Sequence, residues 1–135
     1  MLGRKRRSLR RAPPLGVLEI KVLGAIWDAP EDTNAQGLLD ALTGHSVSLS
    51  TIQTTLKRLH RKGLVSRQRV GHAYVYRPAV SREALISLML EDVTHRLAGG
   101  DLETVISGFF DLIDRTDPDL RTSLGSRNKP QPDDE

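Results

Sequence analysis

Cysteine is absent from all 135 residues, which removes disulfides, thiolate metal sites and thiol catalysis together. Aromatics are few, and 38% hydrophobic with 27% charged residues is a globular composition. No apolar run approaches the ~20 residues of a membrane span. The basic start, Arg4-Lys5-Arg6-Arg7 to Arg10-Arg11, leads into Ala12-Pro13-Pro14 and not into an apolar segment, so it does not read as a secretory signal. The cytoplasm is the simplest location these absences leave.

Acid is absent locally. The chain has 17 Asp and Glu, yet residues 1–14 carry six cations and no acid. Residues 45–80 carry Lys57, Arg58, Arg61, Lys62, Arg67, Arg69 and Arg77, again with no acid. The segments beside them are acidic, with net charges of −4 over 15–44 and −5 over 81–114. Seven cations with no acid between them are the footprint expected for a polyanion partner.

Chemistry-bearing patterns are missing too. His45, His60, His72 and His95 are scattered, and no pair has metal-ligand spacing, so neither metal nor cofactor is expected. No glycine loop cradles phosphate, Gly-x-Ser-x-Gly is absent, and no nucleophile stands near a base. No catalytic residue is assigned, and the chain is not expected to be an enzyme.

What is present centres on Ser48 to Gly63. The expected helix has Ser50 as N-cap, Gln53 completing a capping box and Gly63 as its stop. Ile52, Leu56 and Leu59 fall on one side; Ser50, Gln53, Thr54, Lys57, Arg58 and Arg61 fall on the other. One side needs a core. The other suits a DNA major groove, although a basic face opposite an apolar stripe is often only solvated.

The remaining elements supply context. Residues 1–14 are expected to be a disordered basic arm, either following a phosphate backbone or entering a minor groove, or else only solubilising the chain. Leu15 to Trp27 predicts a first helix, with Leu15, Leu18, Val22, Leu23, Ile26 and Trp27 inward and Glu19 and Lys21 outward. Thr33 is expected to cap a second helix with Leu38, Leu39 and Leu42 apolar and Gly44 as its stop. Gly37 within that helix costs roughly 1 kcal/mol relative to alanine, which suggests a close approach there. Leu64–Val70 and Ala73–Arg77 predict a hairpin turning at Gly71-His72, with Val47-Ser48-Leu49 as candidate third strand.

Three helices and then a basic hairpin is the order of a winged helix-turn-helix. Beyond it, Ser81 and Asp101 are expected to cap two further helices, separated at Gly99-Gly100. Leu85, Met89, Val93 and Leu97 on the first, and Val105, Phe109, Phe110 and Ile113 on the second, exceed what a small domain covers. A second copy of the chain would bury them; folding back onto the chain is the alternative.

Together Leu15-Gly16-Val17-Leu18-Glu19 through Ile26-Trp27, Ser50-Thr51-Ile52-Gln53-Thr54 through Arg58-Leu59, Lys62-Gly63-Leu64-Val65 and Ala73-Tyr74-Val75-Tyr76-Arg77-Pro78 carry a resemblance. Over residues 15–114 the chain resembles the BlaI/MecI/CopY family of bacterial transcriptional repressors. The resemblance implies a dimeric winged-helix repressor that binds an inverted-repeat operator, with C-terminal helices making the dimer. Three departures stand out. Without cysteine, copper sensing is not expected. Gly108-Phe109 stands where the penicillinase branch is cleaved at Asn-Phe by a sensor-protease. Asp119 to Gly125 offers at most two turns where the family commonly adds another helix.

The expectations are therefore definite. The fold is mainly α with a small β-hairpin: an arm at 1–14, a winged-helix DNA-binding domain at 15–80, dimerisation helices at 81–116 and a mostly disordered tail at 117–135. Ser50, Thr51, Gln53 and Thr54 should meet base edges, Gln53 foremost, because an amide can pair with both hydrogen-bonding groups of adenine. Lys57, Arg58 and Arg61 should meet phosphate or guanine, while Arg67, Arg69 and His72 on the wing contact the flanking backbone. Tyr74 and Tyr76 read as sheet packing ahead of base stacking. The expected partners are palindromic double-stranded DNA and a second copy, with the inducer or sensor-protease open and no membrane. The rival is a winged-helix module in a larger assembly, without operator specificity.

Overall fold

Helix α1 (Val17–Asp28) follows an extended Gly16, whose N–H donates to the Glu19 carboxylate at 3.2 Å. In this computed structural model, residues 9–42, 44 and 46–127 are described; Arg4, Lys5, Arg6, Arg7 and His45 lie outside the described residues. Helix α2 (Ala35–Ala41) is capped by Asn34, which accepts from the Gly37 N–H at 2.8 Å. Thr33, the expected cap, pairs instead with Tyr76: its N–H donates to the Tyr76 carbonyl at 3.1 Å, and its carbonyl accepts from the Tyr76 N–H at 2.7 Å. The third strand of the wing is thus a bridge at Thr33 and not Val47-Ser48-Leu49. The close approach at Gly37 also comes from Thr33, whose Oγ1 would stand 2.7 Å from an added Cβ.

Helix α3 (Leu49–Arg61) starts two residues before its expected first turn. Ser48 is the cap, extended at φ −86° and ψ 158°, and its Oγ accepts from the Thr51 N–H at 3.2 Å. The helix therefore includes Leu49 as well as Ser50, and it turns Ile52, Leu56 and Leu59 fully inward. At the other end Gly63 stands at φ 78°. Its N–H donates to the His60 carbonyl and the Leu64 N–H to the Leu59 carbonyl, the paired bonds of a Schellman stop.

Strands β1 (Val65–Val70) and β2 (Ala73–Pro78) pair antiparallel from Val65 opposite Pro78 to Val70 opposite Ala73. Gly71 at φ 64° allows the two-residue turn. One core joins these elements: Val22, Leu23 and Ile26 of α1, Leu38 of α2, Ile52, Leu56 and Leu59 of α3, then Leu64, Val65 and Tyr76. Each such aliphatic side chain contributes about 1.5–3 kcal/mol on burial. Trp27 packs at its edge and donates from Nε1 to the Val80 carbonyl at 2.9 Å. Leu9 and Ala12 also pack against this core.

Helix α4 (Arg82–Leu97) is capped at Ser81, whose Oγ accepts from the Ala84 N–H. α5 (Leu102–Thr116) is capped by Asp101, and α6 runs Pro118–Arg127. The tail is therefore helical for longer than the two turns expected at Asp119 to Gly125. Proline suits a first helical turn, Arg121 bonds Asp114 at 3.1 Å and its guanidinium lies 4.6 Å from the Phe110 ring centre.

The chain forms two compact units, one ending at Met89 and the other beginning at Leu90. The division falls inside α4 and not at residue 80, since Leu85 is buried with the first unit's core.

Candidate nucleic-acid interface

The outer side of α3 is exposed at Ser50, Thr51, Gln53, Thr54, Lys57, Arg58 and Arg61. These residues face away from the buried stripe because the helical period separates them from Ile52, Leu56 and Leu59. Their side chains are not equally available. Thr51 Oγ1 shares a hydrogen bond with Ser48 Oγ at 2.9 Å, and Thr54 Oγ1 donates to the Ser50 carbonyl at 3.0 Å. Both hydroxyls keep acceptor capacity but are already oriented by the helix. The Gln53 amide makes no hydrogen bond among the described residues. With Ser48 as cap, Gln53 is not needed to reach back to the helix start.

An open groove of about 380 Å³ joins this face to the wing. Gln53 and Lys57, one turn apart on α3, share it with Arg67, His72, Tyr74 and Tyr76 of the hairpin. Register explains the wing side: Arg67 stands opposite Tyr76 and Arg69 opposite Tyr74, and opposed residues share one face of a pleated pair. Tyr76 is buried as packing, whereas Tyr74 is exposed and lies under the Arg67 guanidinium, 4.4 Å from its ring centre. That contact holds Arg67 without neutralising it. Ser50, Thr51, Thr54, Arg58, Arg61 and Arg69 do not line this groove.

Asn34 and Gln36 at the start of α2 also line the groove, and neither was expected there. Asn34 was legible as a cap, one residue after Thr33. Its approach to the wing depends on the Thr33–Tyr76 bridge, which spans 43 positions.

The seven cations of residues 45–80 divide by partner. Lys62 Nζ bonds Glu19 and the Pro14 carbonyl, each at 2.6 Å, and Arg77 bonds Asp32 at 2.7 Å. Lys57, Arg58, Arg61, Arg67 and Arg69 form no salt bridge among the described residues. Glu19, expected to face outward, is instead buried beside the end of α3. Burial pushes its carboxyl up, but the Lys62 hydrogen bond, the Gly16 N–H and the charges of Lys62 and Arg58 together hold it below the ordinary value.

The residues expected at an interface between copies behave differently from one another. Met89, Val93, Leu97 and Phe109 are exposed, with Leu97 at 85%, and Val105 and Phe110 are half-buried. Leu85 and Ile113 are only 3% exposed within the chain itself. They serve its own packing, because no area remains for a partner to cover. Ile86, Leu90, Leu102, Ile106 and Leu112 on the same two helices are exposed as well.

Among the described residues no three His, Asp or Glu are grouped to hold a metal ion, and no helix is long and apolar enough to cross a membrane.

The penicillinase repressor family matches residues 15–124. The chain is 23% identical to the penicillinase repressor of Bacillus licheniformis over 103 residues, covering 76% of this chain and 80% of that one. It is 27% identical to the transcriptional regulator BlaI of Mycobacterium tuberculosis over 124 residues, covering 86% and 90%. Among solved structures, the DNA-binding domain of the repressor BlaI is similar at a TM-score of 0.48 and 28% identity, covering 56% of this chain and 93% of that chain. The monomeric form of Bacillus licheniformis BlaI, in complex with the blaP half-operator, is similar at 0.46 and 28%, covering 55% and 90%.

Proposed function

We propose that this chain, which belongs to the penicillinase repressor family, is a sequence-specific repressor that binds an inverted-repeat operator as a homodimer. The observation that carries this is the groove in which the unpaired Gln53 amide and Lys57 of α3 stand with Arg67 and His72 of the wing. A duplex laid against α3 meets amide and hydroxyl groups in the major groove and cations along both margins. Gln53 reads a base edge, with Ser50, Thr51 and Thr54 around it. Lys57, Arg58 and Arg61 hold phosphate or guanine. Arg67, Arg69 and His72 hold the backbone beside the site. A protomer seated in this way covers promoter DNA and blocks polymerase.

Dimerisation is supported by the second unit. There Leu90, Val93, Leu97, Val105, Phe109 and Leu112 line an apolar groove of about 330 Å³. Exposed apolar surface on facing helices is unfavourable in water and is relieved by a self-complementary copy. Two copies then present two α3 helices to half-sites about one helical turn, or a multiple of it, apart. Gly108-Phe109 lies inside α5, and we assign it no cleavage.

Selection of bound duplexes from random DNA by the purified protein tests this reading. An enriched inverted repeat, bound by two protomers, is the expected result. Enrichment of no common sequence, with equal affinity for RNA and other polyanions, would favour a winged-helix module without operator specificity.

A further inference from the structure

Six cations in residues 1–14 precede the stretch that the family matches. Leu9 and Ala12 pack against the winged core, and a Cβ placed on Gly63 would stand 3.4 Å from Leu9 Cδ2. Leu9 therefore touches the turn that ends α3. Five residues later the Pro14 carbonyl accepts from Lys62 Nζ at 2.6 Å. The segment is pinned at both ends beside the close of α3, and Arg10 and Arg11 between the pins are exposed. They form no salt bridge among the described residues.

No ion pair among the described residues keeps them there. The end of α3 beside the segment belongs to residues 45–80, which have no acid, and Glu19 is bonded to Lys62. Apolar contact at Leu9 and Ala12, with the Lys62–Pro14 hydrogen bond, keeps the segment beside the end of α3, whose last turn carries Arg58 and Arg61. The segment thus adds two exposed cations to an already cationic helix end. A duplex against α3 makes that addition favourable, since each added cation then displaces a counterion.

We propose that Arg10 and Arg11 bind the phosphate backbone flanking the sequence read by α3. Arg4, Lys5, Arg6 and Arg7 continue that charge along the sequence. The inference rests on the proposed function, because it needs α3 to face DNA.

The test compares the full chain with the double variants Arg10→Gln/Arg11→Gln and Arg10→Lys/Arg11→Lys, from 50 to 200 mM salt. Each is bound to the selected operator, with and without flanking duplex. Each lost phosphate contact lowers the slope of log K against log salt by about 0.9, so two reduce the salt-induced loss of affinity by about 12-fold per protomer. The glutamine pair should show that reduction on the long duplex and none on the trimmed one, and the lysine pair should keep the full slope. A glutamine pair with the parent's slope, on an operator the parent binds selectively, overturns the inference. A parent that selects no sequence sinks the proposed function instead, so the two failures are distinguishable.

Discussion

The first unit closes on itself, and the second does not. Through Met89, three helices and a hairpin surround a core in which Ile52, Leu56 and Leu59 have no exposed surface. From Leu90 onward, Thr94 and Ile113 are the buried residues among those described, while Leu97, Leu102, Ile106, Phe109 and Leu112 stay exposed. The second unit carries a smaller share of apolar residues than the first, yet leaves more of that share exposed. What differs is whether the apolar surface finds a partner inside the chain. The winged unit buries its apolar stripe in its own core; the helical unit leaves apolar surface open to a partner.

The strongest way to break this contrast is truncation in each unit. Leu56→Ala should cost about 2–5 kcal/mol and melt the first unit early in thermal denaturation. Phe109→Asp should leave that melting unchanged and dissociate copies in sedimentation. If Phe109→Asp instead lowers the first unit's melting as much as Leu56→Ala does, the contrast between the two units fails.

A smaller effect separates reading from holding within the first unit. Gln53→Ala should lose roughly 1–3 kcal/mol of discrimination at one base pair per half-site. Arg69→Ala should weaken all sequences alike and lower the salt slope by about 0.9. Equal behaviour of the two on operator and random duplex would remove the base-reading role from Gln53.

Next comes Gly63→Ala, which forces a Cβ onto φ 78° beside Leu9 and should cost about 1–2 kcal/mol in the first unit. Calorimetry at several protein concentrations checks it, because a first-unit defect does not depend on concentration whereas melting of an associated second unit does.

The smallest expected effect is electrostatic. Glu19 has a lowered folded pKa, so its contribution is fully present above the unfolded value, about 4.3, and is lost as pH falls through the lower folded value. Glu19→Gln keeps a side-chain carbonyl for the Gly16 N–H but removes the charge. It should destabilise the chain by about 1 kcal/mol at neutral pH, discounted because Lys62 is partly exposed. The gap to the parent should close on acidification in urea denaturation; a gap that persists or widens at low pH would contradict the pairing.

Much of this was legible. The inward stripe of α3, the stop at Gly63, the turn at Gly71-His72 and the caps at Ser81 and Asp101 all depend on residues a few positions apart, where period and backbone preference act directly. The choice between Ser48 and Ser50 was not, since both precede the same stripe at plausible spacing. The chain settles it at Ser48, whose Oγ accepts from the Thr51 N–H, and this has a consequence, because it releases the Gln53 amide from capping.

The amino-acid sequence by itself determined the first five helices, the hairpin, the acid-free stretch and the division of α3 into an apolar and a basic side. Those features follow from local periodicity, cap chemistry and charge count. Tertiary structure alone decided that Thr33 joins the wing at Tyr76, that Glu19 turns inward to hold Lys62 and that Leu85 is spent within the first core. It also decided that Leu9 packs beside Gly63 at the end of α3. Each is a contact between residues far apart in the chain, and its stability depends on which surfaces folding brings together, a quantity no local pattern encodes.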